Sequence, residues 1–162
     1  MKKKVAVVFG TRPEAIKMAP VVKELEKYRS KIETLVVVTA QHRHMLDQIL
    51  RIFDIKAHYD LDIMATDQSL FDIVAVVFKR LERVFIKEKP DLVLVQGDTT
   101  TSFVAAFAAT LLKIPVGHVE AGLRTYNKHE PFPEEINRRL TGVVTDFHFA
   151  PTESAGQALR NE

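Results

Sequence analysis

Between Val116 and Gly142 the sequence VGHVEAGLRTYNKHEPFPEEINRRLTG passes from an apolar strand end into a charged segment. Glu120, Glu130, Glu134 and Glu135 fall there beside Arg124, Arg138 and Arg139. Carboxylates that share a pocket have their pKa values raised by burial and mutual repulsion, which suits general acid and base work. A solvated loop could carry the same charge. A glutamate at a strand's carboxyl end, followed by Ala-Gly-Leu-Arg, fits that bland reading poorly. Glu120 is therefore expected to look into the crevice outside the strand ends, with Glu134 arriving from the far side of the loop.

Three other strand ends turn polar in the same way: Thr11-Arg12, Gln41-His42 and Gly97-Asp98-Thr99-Thr100. Side chains from separate parts of the chain would then converge on one side of a sheet. Arg12 and Lys17 flank the start of the first helix, where a positive helix end and two cations suit a phosphate. The bland alternative pairs Arg12 with a surface carboxylate and leaves Lys17 solvated. GTRPEA lacks the second and third glycines of a dinucleotide fingerprint. Asp98 reads either as a helix N-cap or as a group that orients a sugar hydroxyl or acts as a base.

His118 and Glu120 are two apart in a strand and are expected to share one of its faces. Zinc deaminases carry an H-x-E pair of this kind, but they also need two downstream cysteines, and this chain has none. His42 and His44 lack a matching third ligand, so no metal is assigned. Glu134 and Glu135 follow Pro133, where acidic residues favour a helix start whatever else they do.

The elements that must position these groups alternate along the chain. Lys4 to Phe9 reads as a strand buried on both faces. A helix opens at Gly10-Thr11-Arg12-Pro13-Glu14, with Pro13 pre-set for its first turn, Glu14 at the positive dipole end, and a kink expected at Pro20. Ile32 to Thr39 is a strand, Gln41 to Phe53 a helix, and Tyr59 to Ile63 a short extended piece. A long helix from Ser69 to Lys87 repeats its apolar positions at threes and fours. Then come a strand at Pro90 to Gln96, a helix capped by Asp98 or Thr99 and ending at Leu111, and a strand at Ile114 to Val119. A helix over Glu134 to Gly142 and a short strand at Phe147 to Ala150 follow. This order predicts an α/β fold with a parallel, doubly wound sheet. The chain stops soon after a new helix begins near Thr152, which is expected of a piece of a longer protein.

Composition narrows the function classes. The 162 residues are 46% hydrophobic and 27% charged, with a net charge of +2. That length suits one domain burying about 70% of its unfolded surface. No basic stripe interleaved with aromatics points to nucleic acid, and the ten-residue apolar run Phe103 to Leu112 is too short for a membrane span. The start MKKKVAVVFGTR ends its apolar run too early for a signal peptide. Without cysteine there is no disulfide, thiolate or zinc-thiolate chemistry. A cytoplasmic location is compatible with all of this.

Five strings, GTRPEAIKMAP (10–20), TAQHRHMLDQIL (39–50), VLVQGDTTTSF (93–103), IPVGHVEAGLRT (114–125) and PFPEEINRRLTG (131–142), together resemble the non-hydrolysing UDP-N-acetylglucosamine 2-epimerases. The resemblance covers essentially the whole chain, in order. It implies the Rossmann-like N-terminal domain of a GT-B-like two-domain fold, with a second Rossmann-like domain beyond it. It also implies interconversion of UDP-N-acetylglucosamine and UDP-N-acetylmannosamine by elimination and re-addition of UDP through a 2-acetamidoglucal. The products would supply N-acetylmannosamine units for surface polysaccharide.

By resemblance, Asp98, Glu120 and Glu134 form the catalytic acidic set, and Arg12, Lys17 and Arg138 hold the substrate. A second, regulatory UDP-N-acetylglucosamine would meet Gln41, His42 and Gln68, beside Glu134. Two departures touch that regulatory site: His44 stands where some members have glutamine, and Asp67 where an arginine is found. No cofactor is implied; the implied partners are the two nucleotide sugars, UDP and a second copy in a homodimer. A hydrolysing 2-epimerase or a GT-B glycosyltransferase shares the implied fold and ligand class. A non-catalytic binding or dimerisation module is the alternative from another class.

Overall fold

The computed structural model describes residues 2–40, 43–65 and 67–162. Its centre is β1 (Lys3–Phe9), whose valines are buried on both faces, as a parallel sheet covered by helices requires. β1 pairs in parallel with β2 (Ile32–Val38) on one side and β4 (Leu92–Gln96) on the other, so that Val7 lies opposite both Val36 and Leu94. β3 (Tyr59–Asp60), β5 (Val116–Val119) and β6 (Phe147–Phe149) complete a six-stranded sheet in the order β3-β2-β1-β4-β5-β6. The order reverses between β1 and β4. A switch point of this kind opens a crevice at the strands' carboxyl ends.

One helical layer, α1 (Arg12–Lys27) and α2 (Arg43–Ile52), covers the face carrying Val5, Val7, Phe9 and Val36. The other face carries Ala6, Val8, Val93 and Val95 and packs on α3 (Leu70–Glu88) and α4 (Thr100–Leu111). α5 (Glu134–Val143) leads into β6, and α6 (Glu153–Arg160) is capped by the Thr152 hydroxyl. No helix among the described residues is long and apolar enough to cross a membrane.

Local chemistry accounts for the helix starts. Ser69 caps α3 by accepting from the Asp72 amide, while the Asp72 carboxylate returns the bond to the Ser69 amide. Thr99, not Asp98, caps α4, accepting the Ser102 N–H at 3.1 Å. The N-cap reading of Asp98 is thereby set aside; its carboxylate meets the Arg138 guanidinium instead. α1 continues through Pro20, which lies on the exposed side of the helix. At the end of β1 the Thr39 and Thr101 hydroxyls meet at 3.1 Å. A Cβ on Gly10 would stand 2.0 Å from the Thr39 oxygen, so glycine there lets three chain segments close at the crevice floor.

Candidate active site

Two adjoining hollows lie outside the carboxyl ends of β1, β4 and β5. One, of about 200 Å³, is lined by Lys17, Gln96, Asp98, Glu120 and Arg138 among others. The second, of about 230 Å³, shares Thr11, Asp98 and Thr99 with the first and adds Leu70, Glu134 and Asn137. A hollow of about 410 Å³ lies at the opposite, amino end of the strands, lined by Lys2, Arg29, Lys56 and His58 and far from these carboxylates. The chemistry gathers at the switch point.

Glu120 follows the last residue of β5 and holds a left-handed φ of 65°. Such a conformation costs a non-glycine residue about 1–2 kcal/mol and recurs at functional sites. It turns the carboxylate toward α1, where Lys17 Nζ reaches its two oxygens at 2.8 and 2.5 Å, and the Gln96 side-chain amide donates to it as well. His118 goes elsewhere: its ring is buried and its Nε2 lies 2.6 Å from the Gly97 carbonyl. The expected sharing of one strand face by His118 and Glu120 therefore fails, because the alternation of the strand ends at Val119.

Asp98 is held from three directions. Its carboxylate receives the Arg138 guanidinium, its own carbonyl accepts from Asn137 Nδ2 at 3.0 Å, and the preceding carbonyl is the one bound by His118. Arg138 also meets Glu135 Oε2 at 3.3 Å. Glu135 is completely buried and accepts the amides of Thr125 and Tyr126, so it ties the acidic loop to α5. It lies in the first turn of α5 as expected, and burial adds the anchoring contacts to that position. Glu134, one residue earlier, has a buried Oε2 with no hydrogen-bond partner among the described residues and lines the second hollow.

The cations divide. Lys17 is paired with Glu120, whereas Arg12 is exposed and makes no side-chain ion pair or hydrogen bond among the described residues. Two backbone donors just ahead of α1 are taken within the chain. The amides of Gly10 and Thr11 already donate to Glu14 Oε2, at 3.0 and 2.7 Å. Gln68 accepts the Ala65 amide at 2.9 Å within its own loop and lines neither hollow. Gln41 and His42 lie outside the described residues.

Sequence reasoning missed Gln96, Glu14 and the anchoring role of Glu135. The spacing Thr11-x-x-Glu14 is a capping-box pattern and could have drawn attention to Glu14. Gln96 is the polar end of an otherwise apolar strand, a weaker signal. Nothing in the local pattern separates Glu135 from Glu134.

Burial lowers the pKa of His118 from 6.5 to about 4, so the ring is neutral at pH 7. Because a carbonyl can only accept, Nε2 carries the proton. Between those two values the unfolded chain binds a proton that the folded chain refuses. Stability is therefore complete above about pH 6.5 and declines as pH falls toward 4. About 3 kcal/mol is expected to disappear across that window in the wild type. The check is urea denaturation of wild type and His118→Gln at both ends of it. If the two proteins lose stability in parallel, His118 is not the group responsible.

A parallel doubly wound sheet with carboxylates and cations meeting outside its strand ends defines a Rossmann-like α/β domain with a ligand crevice at its switch point. The family described as UDP-N-acetylglucosamine 2-epimerase matches residues 23–162, and the chain belongs to it. It is 58% identical over 159 residues to the UDP-N-acetylglucosamine 2-epimerase of Neisseria meningitidis, with 98% of this chain and 42% of that protein covered. Against the UDP-N-acetylglucosamine 2-epimerase of Bacillus subtilis it is 58% identical over 163 residues, covering 100% of this chain and 43% of the other. The chain thus spans less than half the length of these curated relatives.

Among solved structures, the Neisseria meningitidis UDP-GlcNAc 2-epimerase bound to UDP-GlcNAc superposes with a TM-score of 0.94 at 58% identity, covering 98% of this chain and 42% of that one. The Methanocaldococcus jannaschii enzyme in complex with UDP-GlcNAc and UDP gives a TM-score of 0.91 at 38% identity, covering 98% and 43%. MurG from Acinetobacter baumannii, at 18% identity and a TM-score of 0.68, shares the fold. The architecture is GT-B-like.

Proposed function

We propose that this chain is the Rossmann-like N-terminal domain of a two-domain enzyme that interconverts UDP-N-acetylglucosamine and UDP-N-acetylmannosamine, supplying N-acetylmannosamine units for surface polysaccharide. The observation that carries the reading is the meeting of Asp98, Glu120 and Glu134 on two adjoining hollows, with Lys17 and Arg138 in the same walls. Inverting C2 of a sugar requires a base for the C2 proton, an acid for the return from the other face, and cations for the diphosphate leaving group. The site supplies groups suited to each task.

In the forward direction a carboxylate takes the C2 proton, and the C2–H electron pair becomes the C1=C2 double bond of 2-acetamidoglucal. The C1–O bond breaks, and its electron pair leaves on the β-phosphate oxygen of UDP. Re-addition returns UDP to C1 and a proton to the opposite face of C2. Arg12 makes no ion pair among the described residues and Lys17 is half exposed, which supports a phosphate-holding role for both. A diphosphate competing for Lys17 would loosen its hold on Glu120 and free that carboxylate to face the sugar.

The deciding experiment runs the full-length enzyme on UDP-N-acetylglucosamine in D2O. UDP-N-acetylmannosamine carrying solvent deuterium at C2 is expected. Product that keeps its original C2 hydrogen rules out elimination and re-addition.

A further inference from the structure

Glu14 is a buried carboxyl that the chemistry above leaves unused. It is 1% exposed and makes no ion pair among the described residues. Its partners are the backbone amides of Gly10 and Thr11 on Oε2, the hydroxyls of Thr99 and Ser102 at 2.8 and 3.1 Å from Oε1, and the Thr11 hydroxyl. Gly10 and Thr11 belong to the turn between β1 and α1, Thr99 and Ser102 to the start of α4. The carboxyl therefore bridges the two loops on either side of the switch point. One loop presents Arg12 and Lys17, and the other presents Asp98.

The hydroxyl protons in this cluster can be counted. Ser102 Oγ donates to the Gln96 carbonyl, which can only accept, and this uses its single proton. Thr99 Oγ1 accepts the Ser102 amide at 3.1 Å and lies 3.1 Å from Ser102 Oγ. If Glu14 is ionised, Thr99 gives its proton to Glu14. The contacts of Ser102 Oγ with both Thr99 and Glu14 then hold no proton, and lone pairs face one another. If Oε1 carries a proton, Glu14 donates to Thr99, Thr99 to Ser102, and Ser102 to the Gln96 carbonyl, so that of the two unprotonated contacts only the one between Ser102 and Glu14 remains. Oε2 still accepts both amides.

We propose that Glu14 is a positioning residue of the candidate site, a neutral carboxylic acid that clamps the Gly10–Thr11 turn to the Thr99–Ser102 turn and so sets the spacing between the cation wall and Asp98. Desolvation pushes its pKa up, in the same direction. The neutral form matters for what binds above it. It occupies the positive end of α1 without adding negative charge beneath Arg12 and Lys17, so their attraction stays available for an anionic group. The neighbouring charges in that hollow, Lys17, Asp98, Glu120 and Arg138, pair with one another and do not touch Glu14. The clamp's consequence for catalysis rests on the nucleotide-sugar reading; its existence does not.

Glu14→Gln is the informative variant. A glutamine oxygen can accept both amides while its NH2 donates to Thr99 and Ser102, which imitates the neutral acid and not the carboxylate. Three measurements on the full-length protein test the proposal. Infrared difference spectra at pH 7 are expected to show a protonated-carboxyl band in wild type that Glu14→Gln loses. Amide exchange is expected to show Gly10 and Thr11 protected in wild type and Glu14→Gln, and unprotected in Glu14→Ala that is folded by circular dichroism. Steady-state kinetics should give Glu14→Ala a KM for UDP-N-acetylglucosamine raised at least about tenfold, with Glu14→Gln within about threefold of wild type. A missing band, a glutamine variant as damaged as the alanine one, or intact amide protection in Glu14→Ala overturns the clamp. A wild type without epimerase turnover whose band and exchange behave as expected would sink the proposed function and leave the clamp standing.

Discussion

On the proposed function, replacing Glu120 by glutamine is expected to lower turnover of the full-length protein by at least about a hundredfold, and Asp98→Asn and Glu134→Gln are expected to do the same. Each exchange is nearly isosteric and removes a proton acceptor from the two adjoining hollows, of which Glu120 lines the first, Glu134 the second and Asp98 both. At Glu120 the loss goes beyond charge. The new NH2 must face either Lys17 or the Gln96 amide, so one donor opposes another where the carboxylate satisfied both. The left-handed backbone at Glu120 is carried by wild type and variant alike, so folding is retained. Asp98→Asn keeps the α4 cap, because Thr99 makes it, and Arg138 keeps Glu135 as a second partner. Glu134 has a buried oxygen with no partner to lose among the described residues, so its glutamine variant is the cleanest probe of chemistry alone. The measurement is kcat in a coupled epimerase assay, with circular dichroism as the check on folding. Any one variant that turns over near the wild-type rate takes its residue off the catalytic set.

Gly122→Ala is expected to destabilise the domain by about 2–5 kcal/mol, the sum of a left-handed backbone penalty and overpacking. Gly122 has a φ of 90°, and a Cβ there would stand 2.2 Å from the Ala155 carbonyl oxygen and 2.8 Å from its carbon. Both are backbone atoms of α6, which cannot swing aside as a side-chain tip can. Relief requires α6 to lift, and that uncovers Ala155 and Ala158 and strains the bidentate pair of Arg124 with Glu162, whose contacts are both 2.7 Å. Because Gly122 lies two residues beyond Glu120, the same movement disturbs the end of β5. Urea denaturation at neutral pH reads the effect as a lower midpoint with an unchanged slope. A midpoint within error of wild type would mean that α6 is not seated against this turn in solution.

The sequence alone determined the order and kind of the elements. Runs such as VAVVF and LVLVQ can be buried only as strands covered on both faces, and the helices between them force parallel pairing. It also located Asp98 and Glu120, since a polar residue closing an apolar strand is visible without coordinates. It could not decide what those residues touch. The partner of Asp98 is Arg138, 40 positions away, and that of Lys17 is Glu120, 103 positions away. Such pairs follow from a strand order that sets β1 beside β4 and β4 beside β5. Glu14, Glu134 and Glu135 all look like acids in a helix first turn. Tertiary packing makes the first a buried bridge between loops, the second a wall of the hollow and the third an anchor for the acidic loop. Local pattern reports which face of an element is covered; a charged group's role depends on which distant loop the sheet brings against it.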